Sequence, residues 1–451
     1  MKALRAVVLA AGKGTRMKSQ TPKVLFPLAG KSILQHVVDT LTDSGVEDIY
    51  IVVGYGSDMV QEAVTGPITW VLQREQLGTG HALLQAAPHL RGTDTLLVVT
   101  GDTPLLTSQT ISDLISLHQR ENHAATVLTA RVPDPGGYGR ILRAGDQVKA
   151  IIEDKDASPE ERAIAEINSG VFCYNWARVE PLLARLTPNN RQGEYYLTDI
   201  MSMLFQEGGK TGAFVARDYQ EVAGINNRVQ LAWAEGIMRA RINEALMLSG
   251  VSMQDPGSVW IDAGVEIGQD TVILPNTHIY GATKIGSNCT IGPDAMLRSC
   301  QLEEGVAFHH AVAEECVIGQ GTRVGPFAYI RPGSVIGSGV KVGDFVEIKN
   351  SRIGDGSKVP HLAYVGDAKV GTNTNIGCGV ITANYDGKKK SVTEIGNDAF
   401  IGSNCNLVAP VKVGDGAYVA AGSTITDEVP PRALAIARSR QTVKVDWRKK
   451  D

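Results

Sequence analysis

The first half of the chain alternates short apolar runs with segments whose apolar residues recur at helical spacing. The runs predict buried strands at 6–9, 49–53 and 96–100, and the helical spacing predicts helices at 32–44, 80–87 and 107–121. Buried strands separated by amphipathic helices are typical of a mainly parallel sheet covered on both faces. Ligands of such sheets bind at the carboxyl ends of the strands, so the loops after Leu9 and Thr100 are predicted to carry chemistry.

The second half repeats an aliphatic residue at every sixth position. The runs cover 267–297, then 312–348 beginning at Val312, and finally 395–425. A period of six matches neither an α-helix nor an amphipathic strand, and it predicts a triangular parallel β-helix in which each hexad forms one flat side. Three hexads make a coil of 18 residues, so residues 260–428 predict roughly nine coils.

Two segments interrupt these patterns. Residues 226–250 predict a connecting helix, because Asn227 can cap it, an apolar stripe follows, and Gly250 can end it. The hexad register breaks at 382–393, where the polar, basic segment Asn-Tyr-Asp-Gly-Lys-Lys-Lys occupies 384–390. A regular prism would extrude this segment as a loop, and loops on rigid scaffolds are frequent binding elements.

Composition excludes several classes of protein. The 44 Lys and Arg residues nearly balance the 48 Asp and Glu residues, for a formal net charge of −4, which argues against a general binder of nucleic acid or anionic membranes. No apolar run approaches the roughly 18 residues of a membrane helix, and the apolar stretch that ends at Ala11 is short for a signal peptide. The six cysteines form no C-x-x-C pair and no zinc-like spacing, which predicts reduced thiols in a cytoplasmic protein.

A Gly-rich turn follows the first predicted strand. It runs from Leu9 through Gly12 and Gly14 to Arg16, and a Pro-Lys pair ending at Lys23 comes next. The backbone N–H groups of such a turn can approach phosphates closely, and the two cations add positive charge. The spacing is neither the dinucleotide-binding fingerprint nor a Walker loop.

Further motifs follow in order along the chain. They are Gln-x-x-Gln-Leu-Gly-Thr-Gly-His at 73–81, Gly-Asp at 101–102, Tyr-Gly-Arg at 138–140, Glu153, Glu-Ile-Asn-Ser-Gly at 166–170 and Gly-Ile-Asn-Asn at 224–227. Together with the Gly-rich turn and the hexads, they resemble the sugar-nucleotide pyrophosphorylases. The chain closely resembles the bacterial family of bifunctional N-acetylglucosamine-1-phosphate uridyltransferases and glucosamine-1-phosphate acetyltransferases, and the resemblance covers nearly the whole chain, from Ala6 to about Trp447.

The resemblance implies a fold in two parts. The first is an α/β, Rossmann-like nucleotidyltransferase domain with a mainly parallel sheet, expected at 1–227. A linker helix is expected at 228–250. A left-handed parallel β-helix of hexapeptide repeats, with a C-terminal tail, is expected at 251–451.

In the first domain the resemblance implies uridyl transfer from UTP to N-acetylglucosamine-1-phosphate, with release of pyrophosphate. Asp102 and Asn226 are the expected Mg²⁺ ligands, since hard oxygen donors and substrate phosphates suit that ion. Arg16 and Lys23 are expected to stabilise developing charge. The expected nucleotide contacts are Leu9, Ala10, Ala11, Gly12, Lys23, Gln73, Gly78 and Thr79, and the expected sugar-phosphate contacts are Gly139, Glu153, Asn168 and Asn226.

In the second domain the resemblance implies acetyl transfer from acetyl-CoA to glucosamine-1-phosphate. His361 is the expected base, because a neutral imidazole can remove a proton from the amine near pH 7. The expected glucosamine-1-phosphate contacts are Arg331, Lys349, Tyr364, Asn375 and Lys390. The expected acetyl-CoA contacts are Cys378, Asn384, Tyr385, Ser403, Ala421 and Arg438.

The resemblance also implies a homotrimer assembled through the β-helix, with small-molecule substrates and a product that supplies peptidoglycan and lipopolysaccharide synthesis. Two alternatives remain open at this point. One is a single-activity nucleotidyltransferase with a structural β-helix, and the other is a non-catalytic assembly protein. The His361 region and the 384–390 insert argue against the first, and the intact Arg16, Lys23, Asp102 and Asn226 argue against the second.

Overall fold

A mixed but mainly parallel sheet organises the first half of the chain. The structure, a computed structural model, describes residues 4–448. The strands are β1 Leu4–Ala10, β2 Pro27–Leu28, β3 Lys31–Ser32, β4 Asp48–Val53, β5 Ile68–Leu72, β6 Thr95–Thr100, β7 Ala125–Arg131, β8 Arg140–Ala144, β9 Gln147–Ile152, β10 Glu166–Asn175 and β11 Thr211–Val215. The sheet order is β11-β7-β10-β6-β1-β4-β5; β10 is antiparallel to its neighbours, and the β8–β9 hairpin extends from it.

Helices cover both faces of this sheet. They are α1 Ile33–Asp43, α2 Ser57–Ala63, α3 Thr79–Ala86, α4 Ser108–Arg120, α5 Pro159–Arg162, α6 Trp176–Leu183 and α7 Asp199–Gln206. Alternate residues of β1 enter different cores: Ala6 and Val8 pack on one side and Val7 on the other. The prediction of a parallel sheet buried on both faces is therefore confirmed.

Side-chain caps explain where the helices begin. The Ser32 hydroxyl accepts the Gln35 N–H at 3.1 Å at the start of α1, and the Thr107 hydroxyl accepts the Thr110 N–H at 3.2 Å at the start of α4. Each cap satisfies a donor that the first helical turn leaves without an intrahelical partner.

The second half is a triangular prism of parallel coils. One face is a nine-stranded sheet of Glu266–Ile267, Lys284–Ile285, Gln301–Leu302, Val317–Ile318, Val335–Ile336, Arg352–Ile353, Ala368–Val370, Thr393–Ile395 and Val411–Val413. The second face carries Ser252–Met253, Val272–Ile273, Thr290–Ile291, Ala307–Phe308, Arg323–Val324, Asn375–Ile376, Phe400–Ile401, Tyr418–Val419 and Leu434–Ala435. The third carries Trp260–Ile261, His278–Tyr280, Met296–Arg298, Val312–Glu314, Tyr329–Ile330, Ile381–Ala383, Asn406–Val408 and Thr424–Ile425.

Two long strands, Lys341–Lys349 and Lys358–Gly366, bend through the corner between the second and third faces and belong to both. Aliphatic residues from all three faces fill the interior of the prism. The predicted left-handed β-helix of hexapeptide repeats is confirmed.

The coils are less regular than the predicted 18 residues. The second inward run was predicted to begin at Val312, and this is wrong: Ala313 is fully buried and pairs with Leu297, whereas Val312 is only partly buried. On this face Leu297, Ala313 and Ile330 follow one another after 16 and 17 residues, because corners in these coils are shortened. The pairing of strands between successive coils therefore determines which residues point inward, and this pairing is kept when a corner is one or two residues shorter.

The helix α8, Arg228–Leu248, connects the halves. It begins where the Asn227 side chain accepts the Gln230 N–H at 2.9 Å, and Gly250 follows it with φ 103°, as predicted. The chain divides into two units, Met1–Met238 and Arg239–Asp451, so the division falls inside this helix. The boundaries 1–227, 228–250 and 251–451 stay a prediction, and their outermost residues, 1–3 and 449–451, lie outside the described residues.

Among residues 4–448, no helix is both long enough and apolar enough to cross a membrane.

Candidate functional site

A cavity of about 290 Å³ lies at the carboxyl ends of β1, β5 and β6. Its lining includes the predicted nucleotide contacts Leu9, Ala10, Ala11, Gly12, Lys23, Gln73, Gly78 and Thr79, together with Asp102. Parallel neighbours end at the same edge of a sheet, which is why loops from distant parts of the sequence meet here. All the residues predicted to contact the nucleotide therefore line one cavity.

Two lining side chains, Lys23 and Asp102, belong to a polar cluster that also includes Asn226 and Arg16. The Lys23 ammonium donates to an Asp102 carboxylate oxygen and, at 3.1 Å, to Oδ1 of Asn226. Arg16 donates to the same Asn226 oxygen at 2.8 Å. The side chains of Lys23 and Asp102 are 14% and 20% exposed, so this pair is better shielded from water than a surface ion pair.

Two glycines make the close approaches possible. Gly14 has φ 60°, and a side chain there would collide with Lys23. Gly78 has φ 110° and packs against the backbone of Tyr195. Glycine, which has no Cβ, adopts these backbone conformations and leaves room for the neighbouring atoms. The predicted motif glycines thus hold Lys23 and Thr79 at the cavity.

Two side chains at the far side of the cavity have fixed orientations. The Gln73 amide donates to the Gly78 carbonyl at 3.3 Å and lies 2.9 Å from Nδ1 of His81. The Thr79 hydroxyl accepts the Leu197 N–H at 3.1 Å. A buried, held amide is suited to reading the hydrogen-bonding edge of a base.

The predicted sugar residues form a neighbouring group. The Asn168 N–H donates to the Gly139 carbonyl at 2.8 Å, and Glu153 lies beside Gly139. Burial raises the pKa of Glu153, although the Thr198 hydroxyl donates to it at 3.1 Å. A buried carboxyl group with polar neighbours can hydrogen-bond sugar hydroxyls.

The donor set at Asp102 and Asn226 fits a divalent cation. Oxygens of both side chains contact the single Lys23 ammonium, so they can face one cation. Within residues 4–448, no cluster of three or more His, Cys, Asp or Glu side chains could hold a metal. A metal bound at Asp102 and Asn226 would therefore need further oxygen ligands from a substrate, as Mg²⁺ often does.

A second group of polar residues lies on the β-helix. Arg331 donates to Glu347 at 2.7 Å, and Lys349 donates to Asp367 at 3.1 Å. The Lys349 ammonium adjoins Lys390 and lowers the pKa of Lys390, an effect to which Arg331 adds. Three cations held together in this way favour an anionic ligand.

The segment 384–390 folds back as a short loop. Tyr385 and Lys390 form an antiparallel bridge, and the Asp386 carboxylate accepts the N–H groups of Lys388 and Lys389 at 2.8 Å. The buried Asn384 amide donates to Asp367 at 2.5 Å. The loop is therefore anchored at Asn384, and Tyr385 is left 60% exposed.

The predicted base and four of the predicted acetyl-CoA residues line one corner of the prism. The Leu362 carbonyl, next to His361, accepts the Gly379 N–H at 2.7 Å, and the Cys378 carbonyl accepts the Asn404 N–H at 2.7 Å. The corner continues through Ser403, Ala421 and the side chain of Arg438, all exposed. Successive coils lie about 4.8 Å apart, so these residues form a continuous row.

One predicted contact is separated from its group. Asn375 lies on the second face, paired with Lys358 and Phe400, whereas Arg331, Lys349 and Tyr364 follow the third face. Within one chain, the corner at His361 separates Asn375 from the cation cluster.

Comparisons with known proteins agree with this organisation. The MobA-like NTP transferase domain matches residues 6–190, and bacterial transferase hexapeptide repeats match 264–299, 315–350 and 393–427. The chain is 51% identical to the bifunctional protein GlmU of Geobacillus sp. (strain WCH70), over 98% of this chain and 97% of the relative. It is 52% identical to that of Acetivibrio thermocellus, over 99% and 97%, and 51% identical to that of Brevibacillus brevis, over 100% and 98%.

The chain belongs to the bifunctional GlmU family. The prediction of an enzyme with a nucleotidyltransferase and an acyltransferase domain is confirmed. The family's nucleotidyltransferase domain also implies a divalent metal. The hexapeptide matches leave out residues 300–314 and 351–392, where the coils are shortened and the loop leaves the prism.

The GlmU motifs did not reveal every residue that supports these sites. Asp367 holds both Lys349 and Asn384, and Asp344 contacts His361. Coil spacing could have identified Asp344, because it lies 17 residues before His361. The predicted 18-residue coil points to Gly343 instead.

Proposed function

We propose that this chain makes UDP-N-acetylglucosamine in two steps. The β-helix transfers the acetyl group of acetyl-CoA to glucosamine-1-phosphate. The nucleotidyltransferase domain then transfers a uridyl group from UTP to the N-acetylated sugar phosphate. The single observation that carries the proposal is that each domain gathers cations suited to phosphates, at Arg16 and Lys23 in one and at Arg331, Lys349 and Lys390 in the other.

In uridyl transfer, a phosphate oxygen of the sugar attacks the α-phosphorus of UTP. A new P–O bond forms, the bond to the β-phosphate breaks, and pyrophosphate leaves with the electron pair. The nucleophile is already anionic, so the protein supplies positioning and positive charge rather than a strong base. Lys23 and Arg16, which both contact Asn226, are assigned to supply that charge.

Asp102 and Asn226 would hold Mg²⁺, which neutralises phosphate charge when bound. Gln73, Gly78 and Thr79 would contact the uracil, and the 9–12 turn would contact the nucleotide phosphates. No protein atom lies within 4 Å of the position where a side chain on Gly12 would begin, so the turn leaves room for a ligand. Gly139, Glu153 and Asn168 would hold the acetylated sugar.

In acetyl transfer, the neutral amine of glucosamine-1-phosphate attacks the thioester carbonyl. The C–N bond forms, the C–S bond breaks, His361 accepts the amine proton, and the CoA thiolate leaves and is then protonated. Arg331, Lys349 and Lys390 bind the sugar phosphate, with Tyr364 beside them. Cys378, Ser403 and Ala421 lie along the corner as a track for the CoA arm, with Arg438 available to its phosphates and Asn384 and Tyr385 at the loop.

The β-helix also supports assembly as a homotrimer. Phe327, Phe345 and Leu362 are about 60% exposed and follow one corner, and the two phenylalanine rings stack at 5.5 Å. All three have φ between 38° and 57°, a conformation that costs a bulky residue roughly 1–2 kcal/mol. Burial against another copy would offset this cost. It would also place the partner beside His361 and close the distance to Asn375.

Analytical ultracentrifugation tests the assembly. The wild type is expected to sediment as a trimer. The Phe345→Gly variant is expected to sediment as smaller species, because it loses apolar contact area between subunits. In an isolated monomer the same substitution relieves backbone strain and raises the free energy of unfolding. A wild type that sediments as a monomer would refute the assembly.

Product analysis by mass spectrometry tests the two activities. Purified protein receives Mg²⁺, UTP, acetyl-CoA and glucosamine-1-phosphate, and a parallel sample receives N-acetylglucosamine-1-phosphate without acetyl-CoA. The expected product of both is UDP-N-acetylglucosamine, a precursor of peptidoglycan and lipopolysaccharide made in the cytoplasm, where UTP and acetyl-CoA are found. Product from the acetylated sugar alone would leave a uridyltransferase with a structural β-helix.

A further inference from the structure

A carboxylate lies directly against the proposed base. Nδ1 of His361 and Oδ1 of Asp344 are 2.6 Å apart, the distance of a strong charge-assisted hydrogen bond. The two residues are in register on the adjacent long strands Lys341–Lys349 and Lys358–Gly366, where both strands bend through the corner. The contact follows from the coil spacing, because parallel pairing stacks residues that are 17 positions apart here.

The contact has a definite consequence for the imidazole. A carboxylate can only accept, so the proton of a neutral His361 lies on Nδ1 and the lone pair lies on Nε2. The hydrogen bond from His361 lowers the pKa of Asp344, so Asp344 is a carboxylate at neutral pH. The charged acceptor also stabilises the imidazolium that forms when Nε2 takes a proton.

We propose that Asp344 is a positioning residue for acetyl transfer, holding His361 in the tautomer whose Nε2 accepts the proton of the substrate amine. This inference rests on the proposed role of His361 as the base. Asp344 stays ionised throughout, because the amine proton moves to Nε2 and from there to the leaving thiolate.

A second histidine–carboxylate pair supplies the comparison. Nδ1 of His310 lies 3.3 Å from Asp294, two coils before the long strands. That contact is longer, and neither residue is among those predicted to bind a substrate. An exposed pair of this kind contributes little by itself. The His361 pair is shorter and adjoins the row of predicted acetyl-CoA residues.

Other charged or titratable residues lie along the strands and the coil next to His361. Those on the preceding strand are Lys341, Asp344, Glu347 and Lys349, those on its own strand are Lys358 and Tyr364, and the following coil contributes Cys378. Asp344 is the one whose contact with the imidazole is shown at hydrogen-bond distance. Its removal should therefore have a larger effect on His361 than a distant charge change would have.

Steady-state kinetics of Asp344→Asn across pH test the proposal. The kcat of acetyl transfer is expected to fall about 10- to 100-fold, with KM for both substrates within about twofold. Asp344→Asn removes the charged acceptor that stabilises the imidazolium, so the pH profile of kcat should differ from that of the wild type. Asp344→Glu should recover part of the rate, and uridyl transfer by the same preparation should be unchanged.

Nuclear magnetic resonance of ¹⁵N-histidine-labelled full-length enzyme supplies a direct readout. The His361 signals, assigned by their absence from His361→Ala, are expected to show the Nδ1–H tautomer in the wild type and a mixture in Asp344→Asn. Asp294→Asn is the matched control, because it removes the carboxylate beside His310. It is expected to leave acetyl transfer and the His361 signals unchanged.

The outcomes distinguish a failure of the role of Asp344 from a failure of the assignment of His361 as the base. If His361→Ala is inactive in acetyl transfer while Asp344→Asn keeps the wild-type rate, pH profile and tautomer, the role of Asp344 is refuted and the proposed base stands. If His361→Ala retains acetyl transfer, the base assignment itself fails. If Asp344→Asn loses acetyl transfer together with trimer assembly, the fall in rate reports structure, and an unchanged tautomer in that variant would overturn the inference.

Discussion

The two candidate sites are assembled from the sequence in different ways. In the nucleotidyltransferase unit, Arg16 and Lys23 contact Asn226, which is 210 and 203 residues away. On the β-helix, the contacts of Lys349, Asn384 and His361 join residues 17 or 18 apart. An α/β sheet gathers distant loops at one edge, whereas a solenoid stacks the same position of neighbouring coils.

This difference explains how each site is shielded. The Lys23–Asp102 pair lies in a cavity within one chain, whereas the His361 and Asp344 side chains are 56% and 40% exposed. A prism with flat faces has no concave interior to offer a ligand. Its site therefore depends on a loop, and in the proposed trimer on another subunit, to exclude water.

His361→Ala should cause the largest change in activity and should separate the two sites. It should lower kcat of acetyl transfer by about 10²–10⁴-fold, the usual contribution of a general base, and leave uridyl transfer unchanged. Each reaction is assayed separately on the same preparation, with His310→Ala as the control. Loss of both activities in a folded trimer would contradict independent sites.

Asp102→Ala should have the opposite selectivity. Uridyl transfer should fall at least about 10²–10³-fold, because the site loses an oxygen ligand and the partner of Lys23, while acetyl transfer stays unchanged. Asp113→Ala, which removes a partly exposed carboxylate of α4 that pairs with Arg217, is the matched control. If Asp102→Ala transferred uridyl groups at the wild-type rate, the assignment of Asp102 as a metal ligand would be refuted.

Lys390→Ala should have a smaller, substrate-specific effect. KM for glucosamine-1-phosphate should rise about 10-fold, since one charge-assisted contact to the phosphate is lost, and KM for acetyl-CoA should change little. Lys389→Ala changes the neighbouring exposed lysine of the same loop and should be neutral. Equal effects of the two substitutions would indicate a general electrostatic contribution of the loop.

Asp367→Asn should have the smallest effect of the four substitutions. It should lower the free energy of unfolding and change how that free energy depends on pH. Burial raises the pKa of Asp367, but hydrogen bonds from Asn350, Lys349 and Asn384 outweigh burial and hold the pKa below its usual value of 3.8. Stability from this carboxylate is therefore present above pH 3.8 and lost as pH falls through the lowered value.

Unfolding by urea, followed by circular dichroism, measures this effect. At pH 7 the variant should lose about 1–3 kcal/mol of the free energy of unfolding, and the difference from wild type should shrink toward pH 3. Glu394→Gln, which breaks an exposed pair with Lys369, is the control and should change stability by less than about 1 kcal/mol. A difference that grows at low pH would contradict the sign of the shift.

Local patterns determined much of this molecule from the sequence alone. The period of six specified the β-helix, because each flat side of the prism points one aliphatic residue into the core. The cap at Asn227 placed the start of α8, because capping involves only neighbouring residues. The motif glycines and cations predicted a phosphate site at the carboxyl edge of the sheet, and the structure has a cavity at that edge.

Tertiary structure decided which residues meet. Shortened corners moved the inward position from Val312 to Ala313, and a coil of 17 residues placed Asp344, rather than Gly343, against His361. The ladder pairs residues by position in space, so one residue lost at a corner changes every later contact, although the pattern of aliphatic residues looks almost the same. The meeting of Lys23 with Asn226 likewise depends on how the sheet brings its loops together, which no local spacing records.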